Sequence, residues 1–253
     1  MSKTTGTKEW SDKSVNILTG CTHACRYCYA GGMARRFKRS GDWPKSILRT
    51  KEVAKGRRRA KGVKGVMFPS SHDITPEFLE PCLTVLGKLL AAGNKVLVVS
   101  KPHLECIKRI CADFDPTNLM FRFTIGAFDN AILKFWEPEA PSYEERLACL
   151  QYAFEKGFQT SVSMEPMLDT PNAVELFHRL APFVTDKIWL GKLNRARNCI
   201  AEWRQIDAEI RQIEANQTDD KILAIYEALK DEPKVAWKDS LADVLGLGPA
   251  GTP

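Results

Sequence analysis

From its first apolar run onward the chain alternates short β-rich segments with longer stretches whose apolar residues recur at helical spacing. SVNILTG (14–20) reads as a first strand and AGGMARRFKR (30–39) starts the helical region after it. VKGVMFP (63–69) reads as a second strand, and Pro76 opens the helix that follows. In that helix Phe78, Leu79, Leu83, Leu86, Leu89 and Leu90 fall near one face, and Gly93 stops it. KVLVVS (95–100) is continuous and β-branched, the pattern of a strand buried on both faces. A helix near 103–112 comes next. LMFRFTIG (119–126), FQTSVSM (158–164) and DKIWLG (186–191) supply the fourth to sixth strands. Among the later helices, Ser142 and Glu145 form a capping box for one reaching about Lys156. PNAVELFHRLAP (171–182) and IAEWRQIDAEIRQIEA (200–215) read as two more.

This alternation predicts parallel βαβ units and an α/β fold. Six units are too few for a closed eight-stranded barrel, and suit an open partial barrel or a doubly wound sheet. In a parallel barrel the functional residues gather where strands end. Cys21 follows the first strand here, Ser70–Asp73 the second and Lys101 the third. Glu165 follows the fifth and Lys192–Asn194 the sixth, so one pocket at the C-terminal ends of the strands would collect them all.

Composition narrows the class. The 253 residues are 44% hydrophobic and 27% charged, enough for one sizeable core. No run approaches the roughly 18 apolar residues of a membrane span. The first twenty residues are polar and carry no signal-peptide core, so the expected location is cytoplasmic, where structural disulfides are rare. Five of the eight cysteines (Cys82, Cys106, Cys111, Cys149, Cys199) are scattered along amphipathic segments and read as small buried hydrophobes. The other three stand within eight residues, as Cys21-Thr-His-Ala-Cys25-Arg-Tyr-Cys28. Charge is also uneven. Between Arg35 and Lys64 stand thirteen Lys or Arg against two acids, Asp42 and Glu52. Such asymmetry suggests an anionic partner, nucleic acid first.

Three thiolates on a short loop can bind three corners of a cubane cluster and leave the fourth iron open. A structural zinc site wants four protein ligands, and His23 would have to fold back within the loop to be the fourth. CxxxCxxC with an aromatic before the last cysteine, after a first strand, resembles the radical S-adenosylmethionine superfamily. Phe121-Arg-Phe-Thr124, Trp136-Glu137-Pro and the stretch to Arg146 resemble its spore photoproduct lyase-related branch. Val98-Val-Ser100-Lys101 does so too, and the likeness covers roughly 14–195.

The resemblance implies a partial (β/α)6 TIM-type barrel over 1–198, with a lead-in at its start. The remainder, 199–253, is expected as a helical extension packed on that barrel. It implies a [4Fe–4S] cluster on Cys21, Cys25 and Cys28, and S-adenosylmethionine on the open iron. One electron, from a donor of flavodoxin or ferredoxin type, would cleave the sulfonium to a 5′-deoxyadenosyl radical that abstracts a substrate hydrogen. It further implies cofactor contacts from Tyr27, Ser70, Ser71, Lys101, Thr124, Glu137 and Arg146, although the Gly-Gly-Glu often found at the second strand is absent. His72, Asp73 and Glu165 are the expected acid–base groups near the substrate. Each also has a plainer reading as a packed or hydrogen-bonded strand-end residue.

For the substrate, the basic stretch 35–64, interleaved with Phe37 and Trp43, favours a nucleic acid or nucleotide. A peptide or small metabolite is the second reading, and a non-catalytic metal-stabilised nucleic-acid-binding protein the third. The lyase of this branch carries a cysteine near the end of its second strand. Here Pro69-Ser70-Ser71-His72 offers no thiol, so the resemblance implies a different reaction.

Overall fold

The computed structural model describes residues 6–39, 42–62, 64–194 and 196–247. Val63, which opens the second expected strand, and 248–253, the end of the expected extension, lie outside them, as do Ser40 and Gly41 of the basic stretch. Nine strands are described: β1 (Lys13–Ser14), β2 (Leu18–Thr19), β3 (Ile47–Leu48), β4 (Val66–Met67), β5 (Val96–Ser100), β6 (Leu119–Thr124), β7 (Gln159–Met164), β8 (Ile188–Leu190) and β9 (Val235–Trp237). Seven form one parallel sheet in the order β1-β4-β5-β6-β7-β8-β9. The order is linear, so β1 and β9 are edges and the wall does not close.

The middle strands read as apolar runs because both faces are covered. Val98, Phe121, Phe123, Val162 and Ile188 are fully buried, each contributing roughly 1.5–3 kcal/mol through burial. The helices, in chain order, are α1 (Tyr29–Arg36), α2 (Thr50–Ala54), α3 (Leu79–Ala91), α4 (Leu104–Asp113), α5 (Asn130–Trp136) and α6 (Tyr143–Glu155). After them come α7 (Ala173–Leu180), α8 (Ala196–Cys199), α9 (Asp207–Asn216), α10 (Asp219–Leu229) and α11 (Asp239–Leu245). The Ser142 hydroxyl accepts from the Glu145 N–H and starts α6, as its capping pattern predicts.

Two features depart from expectation. The first expected strand is divided: β1 pairs with β4, whereas β2 pairs antiparallel with β3. Side chains interrupt the ladder between them. Asn16 Oδ1 accepts from the N–H groups of Ser70 and Ser71, and the Ile17 N–H donates to His72 Nε2. The sheet also has a seventh strand, β9, three residues long and parallel to β8. The segment expected as a helical extension therefore supplies one edge of the sheet as well as α9, α10 and α11.

Candidate active site

The C-terminal strand ends surround one cavity of about 660 Å³, lined in part by Cys21, Cys25, Cys28, Ser70, Lys101 and Glu165. The thiol loop follows Gly20, whose φ of +102° favours glycine. A Cβ there would come 2.6 Å from the Trp43 carbonyl oxygen. That close approach lets the Cys21 N–H donate to Trp43 O at 3.0 Å, which ties the thiol loop to the segment before β3. The Arg26 N–H donates to Trp136 O at 2.9 Å. Cys28 is the N-cap of α1, its sulfur accepting from the Gly31 N–H. All three thiols are unpaired.

Asp73 braces the loop from below. Its Oδ1 accepts from the Ser100 hydroxyl at 2.9 Å and the Lys101 N–H at 2.7 Å. Its Oδ2 meets His23 Nδ1 at 2.9 Å and the Cys21 sulfur at 3.6 Å. Burial alone would raise this carboxyl's pKa, but His23 and Lys101 outweigh it and hold the group well below its ordinary value. His23 in turn sets its Nε2 3.0 Å from His103 Nε2. Cys21, His23 and Asp73 thus bring their ligand atoms within 4.8 Å of one another.

Behind the loop lies a second buried carboxylate. Glu137 is met by Arg146 at 2.5 Å, by Lys101 Nζ at 3.9 Å, and by the Tyr27 hydroxyl, which donates to its Oε1. Burial would push Glu137 upward, but Arg146 and Lys101 more than offset it, so the carboxylate stays ionised. Arg146 also donates to the carbonyls of Pro141 and Thr124. Glu137 and Arg146 side chains are 0% exposed. They were expected to touch the cofactor; instead they stand one layer back, because both are spent fixing Tyr27, Lys101 and the end of β6. Tyr27, Lys101, Thr124, Ser70 and Ser71 do line the cavity.

His72 is held by main chain on both sides: Nε2 accepts from the Ile17 N–H and Nδ1 donates to Asp73 O. No ring nitrogen is left to exchange a proton with a substrate, which corrects the acid–base expectation for it. Asp73, fully engaged in bracing, has no spare proton either. Burial lowers the His72 pKa from 6.5 to about 4. A histidine whose pKa falls on folding stabilises the protein above its unfolded pKa and loses that contribution as pH drops through the folded one. Stability should therefore fall by about 3 kcal/mol as pH goes from about 6.5 to about 4. His72→Gln, which keeps an acceptor for Ile17, should flatten that limb of a urea-melt pH series.

Glu165 follows β7 and faces the cavity, with its Oε2 3.5 Å from Lys238 Nζ. Burial raises its pKa, and Lys238 partly counters this. Lys238, 2% exposed, also pairs with Glu9 at 2.9 Å and lies 4.1 Å from the Trp10 ring centre. Sequence reasoning missed Glu9, Trp10 and Lys238. They come from the two flanks of the barrel and follow no motif. It also missed Asn16, whose amide fixes Ser70 and Ser71.

The basic stretch divides. Trp43 lines the cavity and packs under Gly31 of α1. Farther along, Asn94, just before β5, bonds to Arg58 O and the Ala60 N–H, and Asp12 bonds to the N–H groups of Lys64 and Gly65. Residues 58–60, Lys64 and Gly65 therefore lie at the strand starts, the end opposite the cavity. The stretch reaches that end because α2 packs alongside α3.

Four cysteines line the cavity: Cys199 stands on α8, and the three that share one loop, Cys21, Cys25 and Cys28, are a soft donor set that fits a cubane cluster with one iron left to another ligand. Burial pushes the Cys21 and Cys25 thiols up, so loading must displace their protons. The radical SAM superfamily model matches residues 15–179. The chain belongs to the radical SAM superfamily.

Within that superfamily, two curated relatives are themselves uncharacterized. One, from Acidianus two-tailed virus, is 29% identical over 185 residues, covering 66% of this chain and 60% of the relative. The other, from Methanocaldococcus jannaschii, is 25% identical over 161 residues, covering 61% of this chain and 60% of the relative. The chain thus spans 60% of the length of either. Among solved structures, spore photoproduct lyase carrying a dinucleoside spore photoproduct aligns with TM-score 0.58 at 15% identity, over 89% of this chain and 75% of the lyase. SuiB of Streptococcus suis, bound to S-adenosylmethionine, aligns with TM-score 0.56 at 11% identity, over 92% of this chain and 51% of SuiB. These likenesses place this radical SAM protein in the open α/β barrel fold. Among the described residues, no helix is long and apolar enough to cross a membrane.

Proposed function

We propose that this radical SAM enzyme abstracts a hydrogen atom from a nucleic acid or nucleotide. In the superfamily the reduced cluster supplies the electron that cleaves S-adenosylmethionine. Cys21, Cys25 and Cys28 would hold the cluster. Ser70, Ser71, Lys101 and Thr124 would hold the methionine and ribose portions of the cosubstrate, and Tyr27 would lie beside its adenine. Glu165, free of main-chain bonds and facing the cavity, is the one acid–base candidate whose geometry still leaves it available to substrate.

The observation that carries the substrate class is the cavity lining. Lys8 and Lys192 share it with Trp10, Tyr29 and Trp43, a mixture of cations for phosphate and π-faces for bases. Its volume falls in the roughly 300–1,000 Å³ of small-molecule sites. The test is anaerobic reconstitution with deuterated nucleosides, DNA or RNA, followed by mass spectrometry of 5′-deoxyadenosine. Deuterium should appear from a nucleic acid or nucleoside. Transfer only from peptides or small metabolites would replace this substrate class.

A further inference from the structure

The outer face of α1 leaves large apolar side chains exposed. Tyr29, Met33 and Phe37 follow one another at four-residue spacing, on one side of the helix and just past its end. They are 53%, 46% and 51% exposed. Among the described residues the exposed large hydrophobics are these three, Ile47 on β3, Phe154 and Leu223, so half of them share this one short face. The opposite side of α1 is packed tightly: Gly31 on the Trp43 indole and Gly32 on Cys199 of α8.

Charge surrounds the apolar stripe. Arg26, Arg35, Arg36, Lys38 and Arg39 are all exposed, and from Cys21 to Ile47 the chain has a single acid, Asp42. Among the described residues none of Arg35, Arg36, Lys38 or Arg39 is in an ion pair, and Arg36 and Arg39 lie over the Phe37 ring. An apolar centre rimmed by uncompensated cations is the make-up of a protein-docking patch for an acidic partner.

The helix's own start says which partner. Cys28, a cluster ligand in the reading above, is the N-cap of α1. Tyr29 lines the cavity and donates to Ser70 O at 2.7 Å. Met33 lies five residues on, an axial rise of about 7.5 Å. A protein seated on this face would stand beside the metal-binding loop.

We infer that the Tyr29–Met33–Phe37 face of α1 and its arginine rim dock an acidic one-electron carrier protein of the flavodoxin or plant-type ferredoxin class. The carrier loses one electron and the cluster gains it; no atom moves between the proteins. A nucleic acid could also use arginines and a stacked Phe37. The carrier is favoured because this face begins at Cys28, on the loop the electron must reach, whereas residues 58–60 lie at the opposite end of the strands. The inference rests on the radical SAM reading but not on the substrate class.

The test uses reconstituted holoenzyme and the cluster-free protein side by side, with reduced flavodoxin and plant-type ferredoxin as probes. Two variants are compared with the parent: Met33→Glu/Phe37→Glu and Arg36→Glu/Arg39→Glu. Carrier binding, read by interferometry at low and high salt, should weaken by about tenfold or more in each, as for central interface residues. Wild-type binding should itself weaken with salt. Carrier-driven formation of 5′-deoxyadenosine should fall with it, whereas dithionite-driven formation should match the parent. The inference is overturned if the parent binds neither carrier, or if the variants bind them as the parent does. Equal loss of dithionite-driven cleavage, or loss of RNA binding with carrier binding intact, would also overturn it. A failure of the radical SAM reading shows separately, as no dithionite-driven cleavage in the parent.

Discussion

Cys25→Ala is expected to reduce S-adenosylmethionine cleavage to background, while Cys149→Ala keeps it near the parent level. The two thiols differ in setting. Cys25 stands in the loop between Cys21 and Cys28, and all three line the cavity. A cubane left with two sulfur ligands has two vacant irons and is not retained. Cys149 is fully buried on α6, its sulfur 3.6 Å from Pro102 O, and is not among the residues that line the cavity. Its truncation costs about 1–2 kcal/mol of packing and touches no ligand. Iron and sulfide content, the visible spectrum and 5′-deoxyadenosine yield should all separate the two variants. Equal loss of iron in both would mean that the cysteines have been divided wrongly.

Arg146→Met should destabilise the fold by about 3–5 kcal/mol, because it leaves Glu137 buried without its strongest partner. For a chain of this size that is a fall in Tm of about 10 °C. The remaining contacts, Tyr27 and Lys101 Nζ at 3.9 Å, do not replace a guanidinium at 2.5 Å. The double variant Glu137→Leu/Arg146→Met should regain most of the lost stability, since removing both charges also removes the desolvation cost. It should not regain activity, because Tyr27 and Lys101 lose the carboxylate that orients them. Restored cleavage in the double variant would show that the pair serves packing alone. Unchanged Tm in Arg146→Met would show that Glu137 is reached by water.

Much of this was legible in the chain. The buried central strands announced themselves by continuous apolar runs, and the thiol loop by spacing. What escaped detection has physical causes. β9 is only Val-Ala-Trp, too short for a period to show, and is recruited by β8 across forty-odd residues of helix. The division of 14–20 into β1 and β2 depends on Asn16 and His72 intercepting main-chain groups, a long-range event with no local signature. Glu137 and Arg146 were expected to contact the cofactor; that they bond one another in a buried layer is a property of packing. The destination of residues 58–60 was set by α2 lying along α3, which charge counting cannot reveal.

An unclosed ring of strands leaves two rims of bare backbone, and such rims ordinarily invite a strand from a neighbouring molecule. Here one rim is two residues long and starts at exposed Lys13, and the other is three residues long and preceded by Pro233 and Lys234. Templates so brief, guarded by cations and an imino acid, cannot nucleate intermolecular pairing. The seam can stay open without the aggregation that a longer naked edge would bring.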